Sequence, residues 1–555
     1  MSIAREPNNG AEDARGPWLD GWYLLAPILC LSFARDLWAP DEPRYAQVAR
    51  EAFESDHLLV MHLNGALYPD KPPLLYWLSG ACGALGGWHA FALRIPSILA
   101  TVGTAYLCTR LARRWFGALE ARWAALFYLG TAMVTEIGGR LQIDPLLSFL
   151  CLLALVLATD DSDDGRRRVR SLWLAGAALG FAALAKGPPA WVHVVLVLAA
   201  WRCLPFPARV PLAHSARAWL GFAALALLPV LVWATAASIA EPRLFRPLFY
   251  GEHLGRVAEG TQHAGPPWYH VAHLPYLLLP WTPLFALALA RALRTLVARC
   301  RGSYTAVRGD AGVWRAAAWF CAILIFFSIV TPKRDLYILP LYPAAALLCA
   351  REIAHAQRHG GLAGLVRASV PALLFVAALA VSASPFLASD VAPYRTAAFA
   401  VGGCLAAGAA GAWVWRSDPR RWAQATAAGF ASAVIAFAVL GVPRLDVEKS
   451  ARALALYLAS RPERPLSIPC VGVQPEGYRF YGRVPATKED LWPALARDGE
   501  QFLALIAEKH FRALSADERA RVRVLARRGV GSRDILVLGS SAPRQEHPEA
   551  RASGR

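Results

Sequence analysis

Long apolar segments recur along most of the chain, and they restrict its fold more than any other feature. A stretch of about 20 apolar residues can cross the hydrocarbon core of a bilayer as a helix. The sequence therefore predicts a mainly α-helical, polytopic membrane protein with about thirteen transmembrane helices. The segments lie near residues 18–38, 91–112, 119–138, 143–159, 171–185, 188–204, 216–239, 271–293, 314–331, 335–350, 366–387, 396–415 and 422–442.

Composition favours a membrane protein over a nucleic-acid-binding one. Hydrophobic residues make up 56% of the 555 residues, and charged residues only 18%. A formal net charge of +18 would indicate nucleic acid as the partner of a soluble chain. Here, however, the arginines cluster in short connections between apolar segments. We therefore exclude DNA and RNA and expect membrane lipids as partners. The 10 cysteines form no CxxC pair that would indicate zinc or redox chemistry.

Every second connection is rich in arginine, which orients the chain in the membrane. The basic connections lie at residues 110–122, 166–170, 202–217, 291–315, 351–367 and 416–421. The positive-inside rule places them in the cytoplasm, together with an N-terminal tail at residues 1–17. The extracytoplasmic face then holds the connections at residues 39–90, 240–270, 139–142, 186–189 and 332–335, and the chain after Pro443.

The apolar density falls after the transmembrane domain, which we assign to residues 18–443. Residues 444–540 contain a helix-like stretch, ARALALYLAS, and short β-like runs at Leu466–Val473 and Asp534–Leu538. We predict a small α/β domain outside the membrane here, followed by a disordered end at residues 541–555.

Two motifs in the first outer connection contain acids beside cations. DEPR at residues 41–44 follows the first apolar segment, and Asp41 could simply cap an amphipathic surface helix that begins around Glu42 and Pro43. In the second motif, Asp70 and Lys71 precede two prolines and the pair Tyr76-Trp77, an arrangement that an interfacial anchor would also explain. Each motif alone is equally compatible with a structural role and a functional one.

Further ionisable residues stand at the outer ends of other apolar segments. Asp144 precedes Pro145 in the form of a helix cap, Lys186 could mark a membrane edge, and His263 lies in a loop where most histidines are simply exposed. Charges near apolar helix ends are costly, so their convergence on one face predicts a polar cavity for an anion, best matched by a phosphate. The converging residues are Asp41, Arg44, Asp70, Lys71, Asp144, Lys186, Lys333 and Arg334.

Taken in order, these motifs resemble the lipid A 4-amino-4-deoxy-L-arabinose transferases. Those enzymes belong to the C-type membrane glycosyltransferases, alongside the protein O-mannosyltransferases. The resemblance covers the whole chain. It rests on DEPRYA, DKPP with a Tyr-Trp pair, Asp144 at a helix start, the Lys186-Gly187-Pro188 turn, the histidine before PPWY, and KRDLYILPLYP.

The resemblance implies transfer of the amino sugar from undecaprenyl phosphate to a lipid A phosphate, with inversion, at the periplasmic face of a bacterial inner membrane. It places Asp41 at the reaction centre and Asp144 in the same cavity. It carries the family's metal pair, for a divalent ion such as zinc, onto Asp70 and His263, although the family usually has Glu at the first position. We expect the donor phosphate to be bound by Arg44, Lys71, Lys186, Lys333, Arg334 and Tyr337.

The role of Asp41 depends on the acceptor. A lipid A phosphate is already anionic, so Asp41 need only orient the acceptor or the sugar, whereas a Ser or Thr hydroxyl would require Asp41 as a general base. Two alternatives therefore stay open: transfer of another sugar, such as mannose, to protein or glycan, and transport of a lipid-linked sugar. The absence of an internal repeat disfavours the transporter.

Overall fold

Helices form nearly all of the membrane domain in the computed structural model, which describes residues 21–160, 162–210, 214–244, 264–307, 309–461, 467–488, 503–531 and 533–540. The predicted tails at residues 1–17 and 541–555 lie outside these ranges. The helices of the first half are α1 (Leu25–Ala34), α2 (Asp41–Glu54), α3 (Leu74–Gly86), α4 (Ala90–Trp115), α5 (Ala118–Leu129), α6 (Ala132–Ile137), α7 (Ile143–Ala158), α8 (Gly165–Lys186), α9 (Pro189–Cys203) and α10 (Ala216–Ala240).

The second half continues the helical pattern to the end of the membrane domain. Its helices are α11 (Tyr269–Leu277), α12 (Thr282–Cys300), α13 (Asp310–Ile329), α14 (Tyr342–His359), α15 (Gly364–Leu387), α16 (Arg395–Val414), α17 (Pro419–Ala436) and α18 (Val442–Lys449). A 3₁₀ helix at Asp335–Leu341 leads into α14, and a π-helical turn at Phe437–Gly441 joins α17 to α18. The last membrane helix thus runs to Lys449, beyond the predicted boundary at residue 443.

The predicted apolar segments are helical, which confirms the mainly α-helical membrane fold. Among the described residues, 8 helical spans are long and apolar enough to cross a membrane, and four shorter apolar helices accompany them. One of these shorter helices, α3, lies in the connection at residues 39–90, where we predicted no apolar helix.

Two of the predicted spans are interrupted helices, and groups at one interruption form hydrogen bonds with groups at the other. The chain breaks between α5 and α6 at Gly130-Thr131, and between α11 and α12 around Pro280, which has no amide hydrogen to donate. The Ala132 amide donates to the Leu279 carbonyl at 2.8 Å, and the Trp281 indole donates to the Gly130 carbonyl at 3.0 Å. These bonds satisfy backbone groups that could not stay unpaired in an apolar region.

Helix α2 is buried on most of its surface, which corrects the prediction of a surface helix with one open face. Val48, Ala49 and Ala52 are fully buried, as their apolar character predicts, but Gln47 and Arg50 on other faces are only 2% and 7% exposed. The helix lies between the membrane domain and the C-terminal domain, so both of its sides are covered. A two-stranded hairpin, β1 (His62–Leu63) and β2 (Ala66–Leu67), follows it.

The C-terminal domain contains a five-stranded mixed sheet, which confirms its predicted α/β character. The strands are β3 (Ile468–Val471), β4 (Ala486–Thr487), β5 (Leu503–Ala507), β6 (Val522–Val530) and β7 (Arg533–Ser540), in the order β4-β3-β5-β7-β6. Strand β5 is apolar and fully buried, as expected of a central strand. Helices α19 (Arg452–Ala459) and α20 (Glu476–Gly482) precede β3 and β4, and the short helices α21 (Glu508–Arg512) and α22 (Ala516–Ala520) precede β6.

This domain contacts α2 directly. The Arg50 guanidinium donates to the carbonyls of Phe480 at 2.8 Å and Arg479 at 2.9 Å, and it lies 5.3 Å from the centre of the Phe480 ring. Arg483 pairs with Glu54 at 2.9 Å. The C-terminal domain is therefore attached to the C-terminal half of the helix that begins at Asp41.

Candidate active site

Asp41 lies at the first turn of α2, where it contacts two arginines rather than the helix backbone. Pro40 occupies the N-cap position and no side chain caps the helix, so the capping interpretation of Asp41 is wrong. One carboxylate oxygen of Asp41 accepts from Arg44 at 2.5 Å, and the other accepts from Arg334 at 2.7 Å. Gln142 is a third donor, at 3.4 Å. A single carboxylate thus joins α2 to the start of the 3₁₀ helix at Asp335–Leu341.

The charges around Asp41 favour the ionised form of its carboxylate, which is more deeply buried than the two arginines that contact it. Burial raises the pKa of the Asp41 carboxyl, but the charges and hydrogen bonds of Arg334 and Arg44 outweigh burial and hold this pKa below its ordinary value. The Asp41 side chain is only 5% exposed, whereas those of Arg44 and Arg334 are 28% and 32% exposed. The two arginine side chains, rather than the carboxylate, are therefore the part of this cluster that an incoming anion can reach.

A buried ion cluster holds this end of α2 in place. Glu42 accepts from Arg94 at 2.9 and 3.1 Å and from Arg35 at 3.1 Å, and its carboxylate also accepts from the Leu141 amide at 3.0 Å. Arg94 uses all five of its N–H groups, because it also donates to the carbonyls of residues 32, 35 and 36. Burial raises the pKa of Glu42, but Arg35 and Arg94 lower it to about 2. The carboxylate is therefore ionised at physiological pH.

Asp144 and Lys186 form an ion pair that links α7 to the end of α8. Helix α7 begins at Ile143 with Gln142 at its N-cap and without a side-chain cap, so the capping interpretation of Asp144 is also wrong. The Lys186 ammonium contacts the Asp144 carboxylate and lies 4.9 Å from the centre of the Tyr337 ring. The structure thus brings together three residues that were predicted to share a cavity.

Lys333 points away from this group. Its ammonium donates to the carbonyls of Phe327 at 2.8 Å and Ser328 at 2.7 Å, and also to that of Val330, at the C-terminal end of α13. A lysine in this position caps the helix and stabilises its dipole. All three ammonium hydrogens are used in this way, so the geometry gives Lys333 a structural contact where we predicted a phosphate contact.

The second motif lies beside Arg44 through its aromatic residues. Tyr45 and Tyr68 both pack against Tyr76, with ring centres 5.8 and 6.1 Å apart, and the Arg44 guanidinium lies 5.7 Å from the centre of the Tyr45 ring. The Lys71 ammonium donates to the backbone carbonyl of the preceding residue at 3.0 Å. The aromatic residues of the second motif thus pack next to Tyr45, whose ring lies beside the partly exposed guanidinium of Arg44.

The predicted metal pair is only half described. Asp70 lies in the structure, and His263 falls outside the described residues. Across the described ranges, no group of three or more His, Cys, Asp or Glu side chains is arranged to hold a metal ion. Metal binding by Asp70 and His263 stays a prediction.

Several residues of this region were not predicted from the sequence. Glu42 stands next to Asp41 and has no local pattern of its own, but its partner Arg94 lies inside an apolar segment, where a charge without a partner is costly. A second group next to Arg334 was also missed: His273 contacts the Asp335 carboxylate at 2.8 Å, and the Tyr276 hydroxyl contacts it at 3.2 Å. No local pattern in the sequence indicates that Asp335 contacts His273 and Tyr276.

Comparison with known proteins identifies relatives along most of the chain. Residues 70–233 match the family described as dolichyl-phosphate-mannose-protein mannosyltransferase. The undecaprenyl phosphate-alpha-4-amino-4-deoxy-L-arabinose arabinosyl transferase of Pseudomonas aeruginosa is 32% identical over 421 residues, which cover 73% of this chain and 71% of the relative. Transferase 2 of the same name from Pseudomonas fluorescens is 32% identical over 338 residues, covering 60% of this chain and 58% of that relative.

A solved structure shares the fold. The crystal structure of ArnT from Cupriavidus metallidurans bound to undecaprenyl phosphate superimposes with a TM-score of 0.74 at 22% identity, covering 93% of this chain and 96% of the other. The apo structure of the same protein also has a TM-score of 0.74. The chain therefore shares the fold of this protein, both in its membrane helices and in its C-terminal domain.

Proposed function

Because the chain belongs to the family of undecaprenyl phosphate-α-4-amino-4-deoxy-L-arabinose arabinosyl transferases, we propose that it transfers this amino sugar from undecaprenyl phosphate to a phosphate group of lipid A. The transfer takes place at the periplasmic face of a bacterial inner membrane and inverts the anomeric carbon. The observation that supports this proposal best is the Asp41 carboxylate held between two accessible guanidinium groups, Arg44 and Arg334.

The reaction exchanges one phosphate ester for another. An oxygen of the lipid A phosphate attacks the anomeric carbon, and the bond from that carbon to the phosphate oxygen of the donor breaks. The electron pair leaves with undecaprenyl phosphate, so the negative charge lost by the acceptor phosphate appears on the leaving group. No proton has to be transferred, and the main requirement is to stabilise the charge that develops on the leaving phosphate.

Arg44 and Arg334 meet that requirement. A guanidinium group binds phosphate through two parallel hydrogen bonds, and a fixed guanidinium loses little entropy on binding. Asp41 fixes both groups at 2.5 and 2.7 Å. A carboxylate offers about four acceptor positions, so with Gln142 as third donor one position remains for a hydroxyl or ammonium group of the sugar.

Lys71 and Lys186 add positive charge in the assignment we propose, and Asp144 sets the position of Lys186 through their ion pair. Tyr337 lies under the Lys186 ammonium and presents its ring face to it. Asp70 and His263 would hold a divalent ion. Metal analysis of the purified protein and of the Asp70→Ala variant tests this point, with loss of the bound ion as the expected result.

Transfer to a protein hydroxyl is the second candidate, because residues 70–233 match a protein mannosyltransferase family. A hydroxyl acceptor needs a general base near the anomeric carbon. Asp41 is a weak base, since two arginines hold its pKa below the ordinary value and occupy its oxygens. An acceptor that is already an anion suits this carboxylate better.

The test uses the purified protein, the undecaprenyl-phosphate-linked sugar and lipid A as sole acceptor. We expect mass spectrometry to show lipid A heavier by one aminopentose, and Asp41→Asn to form this product about a hundredfold more slowly. Asp390→Asn is the matched control, because Asp390 is exposed and far along the chain in a 3₁₀ turn at Ser389–Tyr394. The proposal is wrong if wild-type protein leaves lipid A unmodified.

A further inference from the structure

A polar cleft of about 370 Å³ lies between the C-terminal half of α2 and the extracytoplasmic domain. Arg50, Glu51 and Glu54 line it from α2, and Arg479 and Arg483 line it from α20 and the residue after it. Arg50 follows Asp41 by nine residues, which is on the order of 13 Å along a helix. The cleft is therefore separate from the group around Asp41, but the same rigid helix carries both.

The acceptor atoms of this cleft are already bonded inside the protein. Glu51 accepts from the Gln47 side chain at 2.5 Å and from the amides of Asn64 and Gly65 at 2.9 and 3.1 Å. Glu54 is paired with Arg483 at 2.9 Å and with Arg50 at 3.4 Å. Both oxygens of each carboxylate therefore already have a donor or a cation within the protein.

Donor groups, in contrast, are in excess. Within the described part of the chain, Arg479 donates through its side chain once, to the Ala486 carbonyl at 3.1 Å, and Arg483 once, to Glu54. Each guanidinium has five N–H groups, so most of these donors remain available. Three arginines face two glutamates, which leaves the cleft positively charged. A site with spare guanidinium donors is suited to an anion with several oxygens, such as a phosphate.

We propose that this cleft binds the second phosphate of the acceptor, the one that does not react. Lipid A carries a phosphate on each sugar of its disaccharide, so an acceptor with one phosphate near Arg44 has its other phosphate a disaccharide length away. Helix α2 fixes the spacing between the two sites, because it carries Asp41 at one end and Arg50 towards the other. The inference rests on the proposed function and adds recognition of a doubly phosphorylated lipid to it.

The test compares two acceptors with the full-length protein in nanodiscs of zwitterionic phosphatidylcholine: lipid A with both phosphates and lipid A with one. We expect Arg479→Gln and Arg483→Gln each to raise the KM for the doubly phosphorylated acceptor about tenfold. The KM for the singly phosphorylated acceptor and that for the donor should not change. Arg483→Lys retains a charge and should recover most of the affinity.

Arg523→Gln is the matched control, because Arg523 is exposed on β6 and is not part of the cleft. Unchanged KM values in the two cleft variants, or equal increases for both acceptors, would overturn the inference while the proposed function stands. An effect that appears only with anionic phospholipid, and equally for both acceptors, would also overturn it, because the cleft would then bind membrane headgroups. Wild-type protein without transfer to either acceptor would instead refute the proposed function and this inference together.

Discussion

Among the described residues, Glu42 is the only one whose carboxylate contacts Arg35 and Arg94. Replacing Glu42 with Gln removes this negative charge but leaves a side chain of nearly the same shape. Arg94 is fully buried and Arg35 is 5% exposed, so water cannot take the place of the lost charge. Breaking a buried ion pair by removing one partner costs about 3–5 kcal/mol. The Gln oxygen can still accept one hydrogen bond from Arg94, so we expect the lower end of this range, about 3 kcal/mol.

Hydrogen exchange of the peptide at residues 41–54 measures this effect locally. A loss of about 3 kcal/mol raises the population of the open state about a hundredfold. Glu54→Gln is the control on the same helix, because its ion pairs are partly exposed and are worth about 1 kcal/mol or less, or about fivefold. Equal protection of α2 in wild type and Glu42→Gln would refute the argument that this buried cluster holds the helix.

The pH dependence of the same protection follows from the pKa of Glu42. This pKa is lowered from 4.5 to about 2 in the folded protein. The ionised carboxylate therefore stabilises the fold fully above about pH 4.5, and its contribution is lost as pH falls towards 2. We expect the protection of α2 to stay constant between pH 7 and pH 5, and to decrease below that range in wild type more than in Glu42→Gln.

Three further substitutions test other contacts. Asp41→Asn should lower the rate of transfer about a hundredfold by releasing its two arginines, as measured by the mass of the product lipid. Lys186→Met should lower both transfer and the melting temperature in detergent, because Asp144 stays buried without its cation, and Lys186→Arg should restore the melting temperature. Trp281→Phe removes the indole donor of the Gly130 carbonyl and should destabilise the protein by about 1–3 kcal/mol. Trp319→Phe should cost less, since this buried indole N–H has no partner among the described residues.

Sequence patterns predicted the elements of the fold because each pattern has a local physical cause. Apolar segments of membrane-spanning length became helices, and the apolar β-like runs near residues 468 and 535 became buried strands. The positive-inside rule also placed distant residues on one face, and contacts between Asp41 and Arg334 and between Asp144 and Lys186 agree with that placement. These contacts span 293 and 42 residues of sequence.

Side-chain direction could not be predicted, because it depends on neighbours that are distant in sequence. Lys333 and Arg334 are adjacent, yet one caps the end of α13 and the other contacts Asp41. The sequence around Asp41 and around Asp144 is typical of a helix cap, but in the structure each carboxylate pairs with a cation instead. The burial of α2 by residues around Phe480, which lies 430 positions after Arg50, is not indicated by any local pattern either.

The position of α2 links the candidate active site to the C-terminal domain. Glu42 fixes the beginning of the helix to α4 through Arg94, and Arg50 fixes its second half to the carbonyls of residues 479 and 480. A 14-residue helix does not bend easily between two such attachments. Movement of the outer domain relative to the membrane domain must therefore either break the Arg50 contacts or displace Asp41 together with its two arginines. The outer domain is thus mechanically connected to the site where the phosphate is bound in our proposal.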